Sequence, residues 1–283
     1  MNKKILLVGG EGYIGNVCAI ELLKKNYKIT SFDYLVYENS KNILIKETFE
    51  NFNFVFGDIN DEKKIQDLIK KNDDIVILAG LVGDPITKKY PKESNLINDI
   101  GIKKIIDICA TEKDKKLIFV STCSNYGLIK GDYLADEKHE LSPLSLYAKS
   151  KVSIEKYILS LKNKSSMRPT ILRFATAFGL SPRMRFDLTV NQFTKELKLK
   201  NKLEVFDENT WRPYCHVKDF AEIIHLVLSA SDDKVSWQVF NSGGDSNNAT
   251  KQMIVDKVLN FLGEGNVEYL KNDMDPRNYR VNF

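Results

Sequence analysis

The sequence predicts an α/β protein, a doubly wound parallel sheet with a smaller C-terminal lobe, and three observations carry that reading. From residue 3 to about residue 175, short apolar runs alternate with amphipathic helical patterns, as in consecutive βαβ units. The first of them, Ile5-Leu6-Leu7-Val8, is unbroken, without the polar alternation of a half-exposed strand, so it is read as a parallel strand covered on both faces. Several runs end in small or polar residues, as strands do at the carboxyl edge of such a sheet, where ligands sit.

The first run is Lys3 to Val8, with Ile5-Leu6-Leu7-Val8 at its centre. It leads into Gly9-Gly10-Glu11-Gly12-Tyr13-Ile14-Gly15, and then into a helical apolar pattern through Ile14, Val17, Cys18, Ile20, Leu22 and Leu23. Strand, glycine turn and helix in that order suit a dinucleotide. Glycine allows close backbone approach, and the helix N-terminus presents free N–H groups to a pyrophosphate. The second run, Tyr27 to Phe32, ends in Asp33, eighteen residues after Gly15. A carboxylate there accepts both ribose hydroxyls and repels a 2′-phosphate, so NAD is expected over NADP. Phe52 to Phe56 leads into Gly57-Asp58-Ile59, and Asp74 to Leu78 into Ala79-Gly80-Leu81. Asp58 is placed to touch the adenine, or is a plain turn residue. Ala79 and Gly80 are placed beneath the ribose and nicotinamide.

Leu117 to Val120 is a further buried-type strand, and it delivers the hydroxyl cluster Ser121-Thr122-Cys123-Ser124-Asn125-Tyr126-Gly127. Twenty-five residues beyond Thr122 stands Tyr147, with Lys151 four residues later, on a helix whose apolar face continues through Val152, Ile154, Ile158 and Leu161. That spacing puts the phenol and the ammonium on one helix face, with Lys149 pointing elsewhere. A nearby cation favours the phenolate and brings a tyrosine within reach of proton transfer near neutral pH. The glycine turn followed by this pair indicates redox chemistry, with Tyr147 as acid or base, Lys151 holding the ribose and supplying the field, and Thr122 binding the reacting oxygen.

Composition narrows the alternatives. A chain of 283 residues buries a large core and allows one large domain plus a lobe. A net charge of +4 is small against 42 basic and 38 acidic side chains, and these are interspersed, so no nucleic-acid surface is implied. Cys18, Cys109, Cys123 and Cys215 lie far apart with no metal-ligand spacing, which points to reduced thiols in a cytoplasmic protein and to no metal. No signal peptide and no apolar stretch of roughly 18 residues is present, so a soluble protein is expected.

These residues together resemble the extended short-chain dehydrogenase/reductases, in particular their nucleotide-sugar epimerase/dehydratase branch. The resemblance runs through the Gly9, Gly12 and Gly15 turn, Asp58, Ser121-Thr122 to Tyr126-Gly127, Tyr147 with Lys151, and Leu172 to Gly179. It continues through Trp211 to Asp219 and Asp275-Pro276-Arg277. It implies a Rossmann domain over residues 1–176 with a returning segment at about 214–240, and a substrate lobe over 177–213 and 241–283. It implies NAD on Gly9, Gly12, Tyr13, Ile14, Gly15, Asp33, Asp58, Ile59, Ala79, Gly80, Leu81 and Lys151. It assigns a sugar nucleotide to Thr122, Cys123, Ser124, Thr176, Arg183, Arg185, Asn191, Arg212 and Arg277, with Arg212 and Arg277 on the diphosphate or nucleoside. His216 reads as a packed residue at the start of the returning strand.

The expected reaction is hydride transfer at a sugar carbon, most simply C4, by an epimerase. A 4-keto reductase or dehydrogenase uses the same machinery. A non-catalytic dinucleotide sensor is a third reading, disfavoured because Tyr147 and Lys151 are both present. Dehydratases of this branch carry an acidic pair after the catalytic threonine, where this chain has Cys123 and Ser124, so dehydration is not expected. Cys123 offers a proton shuttle beside a ketone, as in 3,5-epimerising relatives. The resemblance also implies a further helix after the Asp-Pro-Arg segment, where this chain has only its last residues. The helical segments Ser94 to Ala110 and Ser145 to Leu161 have wide apolar faces, which in this family form a dimer contact, so a homodimer is expected.

Overall fold

The computed structural model describes residues 3–36, 49–271 and 277–283. Asp275 and Pro276 of the Asp-Pro-Arg segment lie outside the described residues.

Seven parallel strands form the main sheet in the order β11-β7-β5-β4-β1-β2-β3. They are β1 (Lys4–Val8), β2 (Lys28–Asp33), β3 (Phe52–Phe56), β4 (Asp74–Ile77), β5 (Lys116–Thr122), β7 (Arg168–Phe174) and β11 (Gln238–Ser242). The alternation of side chains along β1 shows why both faces are covered. Ile5 and Leu7 enter one core, with Val17, Cys18 and Leu22 of α1 (Tyr13–Lys24) and with Phe220 and Ile224. Leu6 and Val8 enter the other, with Ile65 and Ile69 of α2 (Glu62–Lys71) and with Ile105, Ile106, Ile154 and Ile158. A strand buried on both faces has no polar position to spare, which is why this run is unbroken.

The segment expected as one helix from Ser94 to Ala110 is built differently. α3 (Asp84–Lys89) and α4 (Pro91–Asn95) precede a π-helical turn, Leu96–Gly101, and α5 (Ile102–Thr111) follows it. α6 (Leu146–Ser160) starts at Ser145, whose Oγ accepts from the Ala148 N–H at 3.1 Å and caps the helix.

Beyond β7 the chain builds small sheets. β8 (Thr176–Phe178) pairs with β10 (Trp211–His216), which pairs with β12 (Asn248–Thr250). β9 (Lys202–Phe206) pairs with β13 (Asn266–Leu270), and β6 (Leu134–Ala135) with β14 (Arg280–Val281). Their core joins Phe193 and Leu197 of α7 (Thr189–Lys198) to Leu203, Val205, Tyr214, Ile254 and Val255. His216 ends β10 rather than starting the returning strand. It caps α8 (Val217–Ser229), its Nδ1 accepting from the Lys218 N–H at 3.2 Å, and the strand that rejoins the main sheet is β11.

Candidate active site

The site lies at the carboxyl ends of β1, β4 and β5, adjacent strands of the sheet. At β1 the chain turns on Gly9, with φ of +83°, where a Cβ would stand 2.6 Å from the Ala79 backbone. At Gly15 a Cβ would lie 2.5 Å from the Gly9 carbonyl oxygen. Only glycine fits at either place. The N-cap of α1 is Gly12, with no side chain over the first turn, so its backbone N–H groups face outward for an anion. The turn therefore fits a dinucleotide pyrophosphate.

Asp33 stands beside the turn, accepting from the Glu11 N–H at 3.0 Å and the Leu35 N–H at 2.8 Å. Burial raises its carboxyl above the usual value, opposed by those backbone hydrogen bonds and by the Arg183 charge. Glu11 itself is 1 % exposed and takes a very short hydrogen bond from Ser31 Oγ. Burial pushes its pKa up to about 7, against the Ser31 bond and with the help of the Asp33 charge. Asp58 is exposed and accepts from the Asn60 N–H at 2.8 Å, as a turn residue does, while Ile59 is buried in the core. Ala79 is tied to the Val8 carbonyl at 2.8 Å. Leu81 is clamped by Asn98, which accepts from its N–H at 2.8 Å and donates to its carbonyl at 3.0 Å.

The chemical groups come from β5 and α6. Lys151 is buried, with Nζ donating to the Val120 carbonyl at 2.8 Å, 4.7 Å from the Phe119 ring centre and 5.8 Å from that of Tyr147. Burial lowers its pKa to about 8, with the Glu155 and Asp99 charges opposing. Contrary to the lowering expected from a neighbouring ammonium, burial holds the Tyr147 phenol above its ordinary value. The Arg185 charge pulls it down, and Asp84 and Tyr279 push it further up. Thr122 Oγ1 accepts from the Ser124 N–H at 3.1 Å, and Ser124 Oγ is 3.0 Å from the Tyr279 hydroxyl. Cys123 points elsewhere: it is fully buried, its thiol donates to the Arg173 carbonyl at 3.1 Å, and burial holds it firmly protonated.

The residues assigned to the sugar nucleotide are all buried or half-buried, and several are tied into the chain's own packing. Thr176 is half-buried and pairs in register with Tyr214. Asn191 is committed internally, donating to Tyr13 Oη at 3.1 Å and to the Arg185 carbonyl at 2.9 Å, and accepting from the Gly179 N–H at 2.9 Å. Tyr13, assigned to the cofactor, thus meets Asn191 and donates to the Gly179 carbonyl at 2.6 Å. Arg183 lies close enough for its charge to act on Asp33, which places it on the glycine-turn side. Arg185 bonds Asp187 through Nε at 3.0 Å. Arg212 lies over the Tyr279 ring, 5.1 Å from its centre, and donates to the Trp211 and Arg277 carbonyls. Arg277 pairs with Asp84 at 3.1 Å.

Sequence reasoning missed Asp84, Asn98 and Tyr279, and it missed the buried pair beneath Lys151. There Glu155 takes Arg173 Nη2 at 2.8 Å, Asn125 Nδ2 at 2.7 Å and a short bond from Ser121 Oγ. Glu155 follows Lys151 by the same four-residue step that links Lys151 to Tyr147, and that periodicity was the available signal.

A fold of this kind, with a glycine turn fitted to a pyrophosphate, defines a class of dinucleotide-binding enzymes. The family model for the NAD dependent epimerase/dehydratase family matches residues 5–243, and the chain belongs to that family. It is similar to a putative UDP-glucose 4-epimerase of Methanocaldococcus jannaschii, 26% identical over 268 residues that cover 92% of this chain and 84% of the relative. It is also 28% identical to a probable UDP-arabinose 4-epimerase of Arabidopsis thaliana over 64% of this chain, spanning under half of that longer protein, 45%. A dTDP-D-glucose 4,6-dehydratase of Dictyostelium discoideum is 29% identical over 86% of this chain and 58% of its own length. Among solved structures, a UDP-glucuronic acid 4-epimerase from Bacillus cereus shares the fold with a TM-score of 0.87 and 23% identity, over 99% of this chain and 90% of that one. Among the described residues no helix is long and apolar enough to cross a membrane, and no cluster of side chains is arranged to hold a metal ion.

Proposed function

We propose that this chain is an NAD-dependent nucleotide-sugar epimerase acting at C4 of the sugar. The observation that carries the reading is the pairing of Tyr147 with a buried Lys151 of lowered pKa on one face of α6, Lys151 being bonded to the Val120 carbonyl of β5, two residues before Thr122. NAD, when bound, accepts hydride from a sugar carbon and returns it. Gly9, Gly12 and Gly15 would hold its pyrophosphate and Asp33 its adenosine ribose. Thr122 Oγ1 orients the sugar oxygen, Tyr147 removes the proton from that oxygen and later restores it, and the Lys151 ammonium stabilises the phenolate between those events. The relatives named for 4-epimerases support the C4 assignment.

The same reading excludes dehydration, because Cys123 and Ser124 supply no carboxylic acid and the Cys123 thiol is buried against the Arg173 carbonyl. The exposed Leu96, Ile100, Leu146 and Leu159, around α5 and α6, support a homodimer through those faces. The four free, buried cysteines suit a reducing, cytoplasmic setting.

The test is turnover on a panel of sugar nucleotides. Interconversion of two sugars without added cofactor is the expected result, whereas consumption of one NADH per product would establish a reductase. Tyr147→Phe is expected to lower kcat by roughly 10²- to 10⁴-fold with cofactor retention unchanged.

A further inference from the structure

Asp84 is a charged group beyond the carboxyl end of β4 that the glycine turn and the Tyr147 face leave unexplained. It is the first residue of α3, after Gly83, whose φ is +110°, where the chain has left the carboxyl end of β4, between β1 and β5 in the sheet. Its Oδ2 meets Arg277 Nη1 at 3.1 Å, an ion pair that joins the β4 loop to the C-terminal segment. The pair is secluded, with side chains 19% and 24% exposed respectively. The other oxygen, Oδ1, is buried and has no hydrogen-bond donor among the described residues. The carboxylate is also near enough to the Tyr147 phenol for its charge to act there. The other groups near that phenol are Lys151, whose Nζ is 5.8 Å from its ring centre, Arg185, which is bonded to Asp187, and Tyr279, whose hydroxyl meets Ser124.

Resting on the sugar-nucleotide reading, we propose that Asp84 is a specificity-determining residue that reads the sugar. Its carboxylate accepts hydroxyl or amino donors of a neutral or amino sugar and excludes a uronic acid. An arriving diphosphate offers Arg277 a doubly bonded anion, the partner that a guanidinium fork fits well. The exchange leaves the Asp84 charge without its cation, facing the sugar beside Tyr147. Hydroxyl hydrogens satisfy both of its oxygens. A sugar carboxylate would bring two like charges together in a secluded site, a repulsive element against the wrong substrate. The fold makes no such choice, since the similar proteins include enzymes named for UDP-glucose and for UDP-glucuronic acid.

The experiment compares UDP-glucose with UDP-glucuronic acid, which share one nucleotide and differ at C6. Dissociation constants and kcat/KM are measured for the NAD-supplemented wild type and for Asp84→Asn, which keeps the shape and removes the charge. The wild type is expected to prefer the neutral sugar at least tenfold, and Asp84→Asn to shrink that ratio at least fivefold, mainly by tighter binding of the uronic acid. A wild-type preference for the uronic acid, or a ratio that Asp84→Asn leaves unchanged, overturns this inference and leaves the sugar-nucleotide reading standing. Binding of neither compound, nor of the same sugar pair on other nucleotides, overturns that reading and this inference with it.

Discussion

Two carboxylates in this chain are equally hidden, each 1% exposed, yet they live in opposite surroundings. Glu155, under the Tyr147 helix, is matched by the Arg173 guanidinium and by donors from Ser121 and Asn125. Glu11, in the glycine turn, has a hydroxyl from Ser31 and a second acid, Asp33, as its neighbour. Burial alone does not decide how a carboxylate behaves, because what surrounds it determines whether its charge is held or expelled. The first cluster holds its carboxylate in place below the Tyr147 face, and burial in the second pushes the Glu11 pKa up to about 7.

The largest effect is expected from breaking the matched pair. Arg173→Met strands the Glu155 charge and should lower the free energy of unfolding by about 3–5 kcal/mol in a denaturant titration, while adding Glu155→Leu should recover much of that loss. Were the double variant as unstable as the single one, the pair would not be what makes this region sensitive.

Glu11→Gln tests the other cluster and has a defined sign. The Glu11 pKa rises from 4.5 to about 7 on folding. Below the lower value both states hold the proton. Between the two the unfolded chain releases it first, so stability falls as pH rises, and above about 7 the deficit is constant. A shift of that size corresponds to about 3 kcal/mol. The glutamine variant should therefore match the wild type near pH 4 and exceed it by up to about 3 kcal/mol near pH 8, in thermal melts across pH. A pH-independent difference would remove the titrating group from the explanation. The smallest effect belongs to Ser31→Ala, which deletes the hydroxyl that favours the Glu11 charge. It should cost about 1 kcal/mol and move the midpoint of the same pH profile upward.

Much of the sheet was legible because central strands such as β1 and β4 carry unbroken apolar runs, and Phe52–Phe56 matches its expected bounds. Tyr147 and Lys151 were legible because helical spacing alone puts them together. Asp84 and Arg277 lie far apart in sequence and meet only once the C-terminal segment returns over the β4 loop, so no local pattern announced them. Tyr279 reaches Ser124 by the same return. Arg212 and Asn191 have the residue types of ligand binders, but tertiary packing turns them toward carbonyls and a tyrosine within the chain.

The π-helical turn at Leu96–Gly101 has a geometric consequence for the whole β4 edge. Each residue advances an α-helix by about 100° around its axis, so one residue accommodated by i→i+5 bonding re-phases everything downstream. Within the turn, the winding must aim the Asn98 amide at both backbone groups of Leu81. After it, Ile102, Ile105, Ile106 and Cys109 must face the sheet. The widened turn acts as a gear between these two alignments, letting one continuous stretch serve the loop after β4 and a packed interior at once.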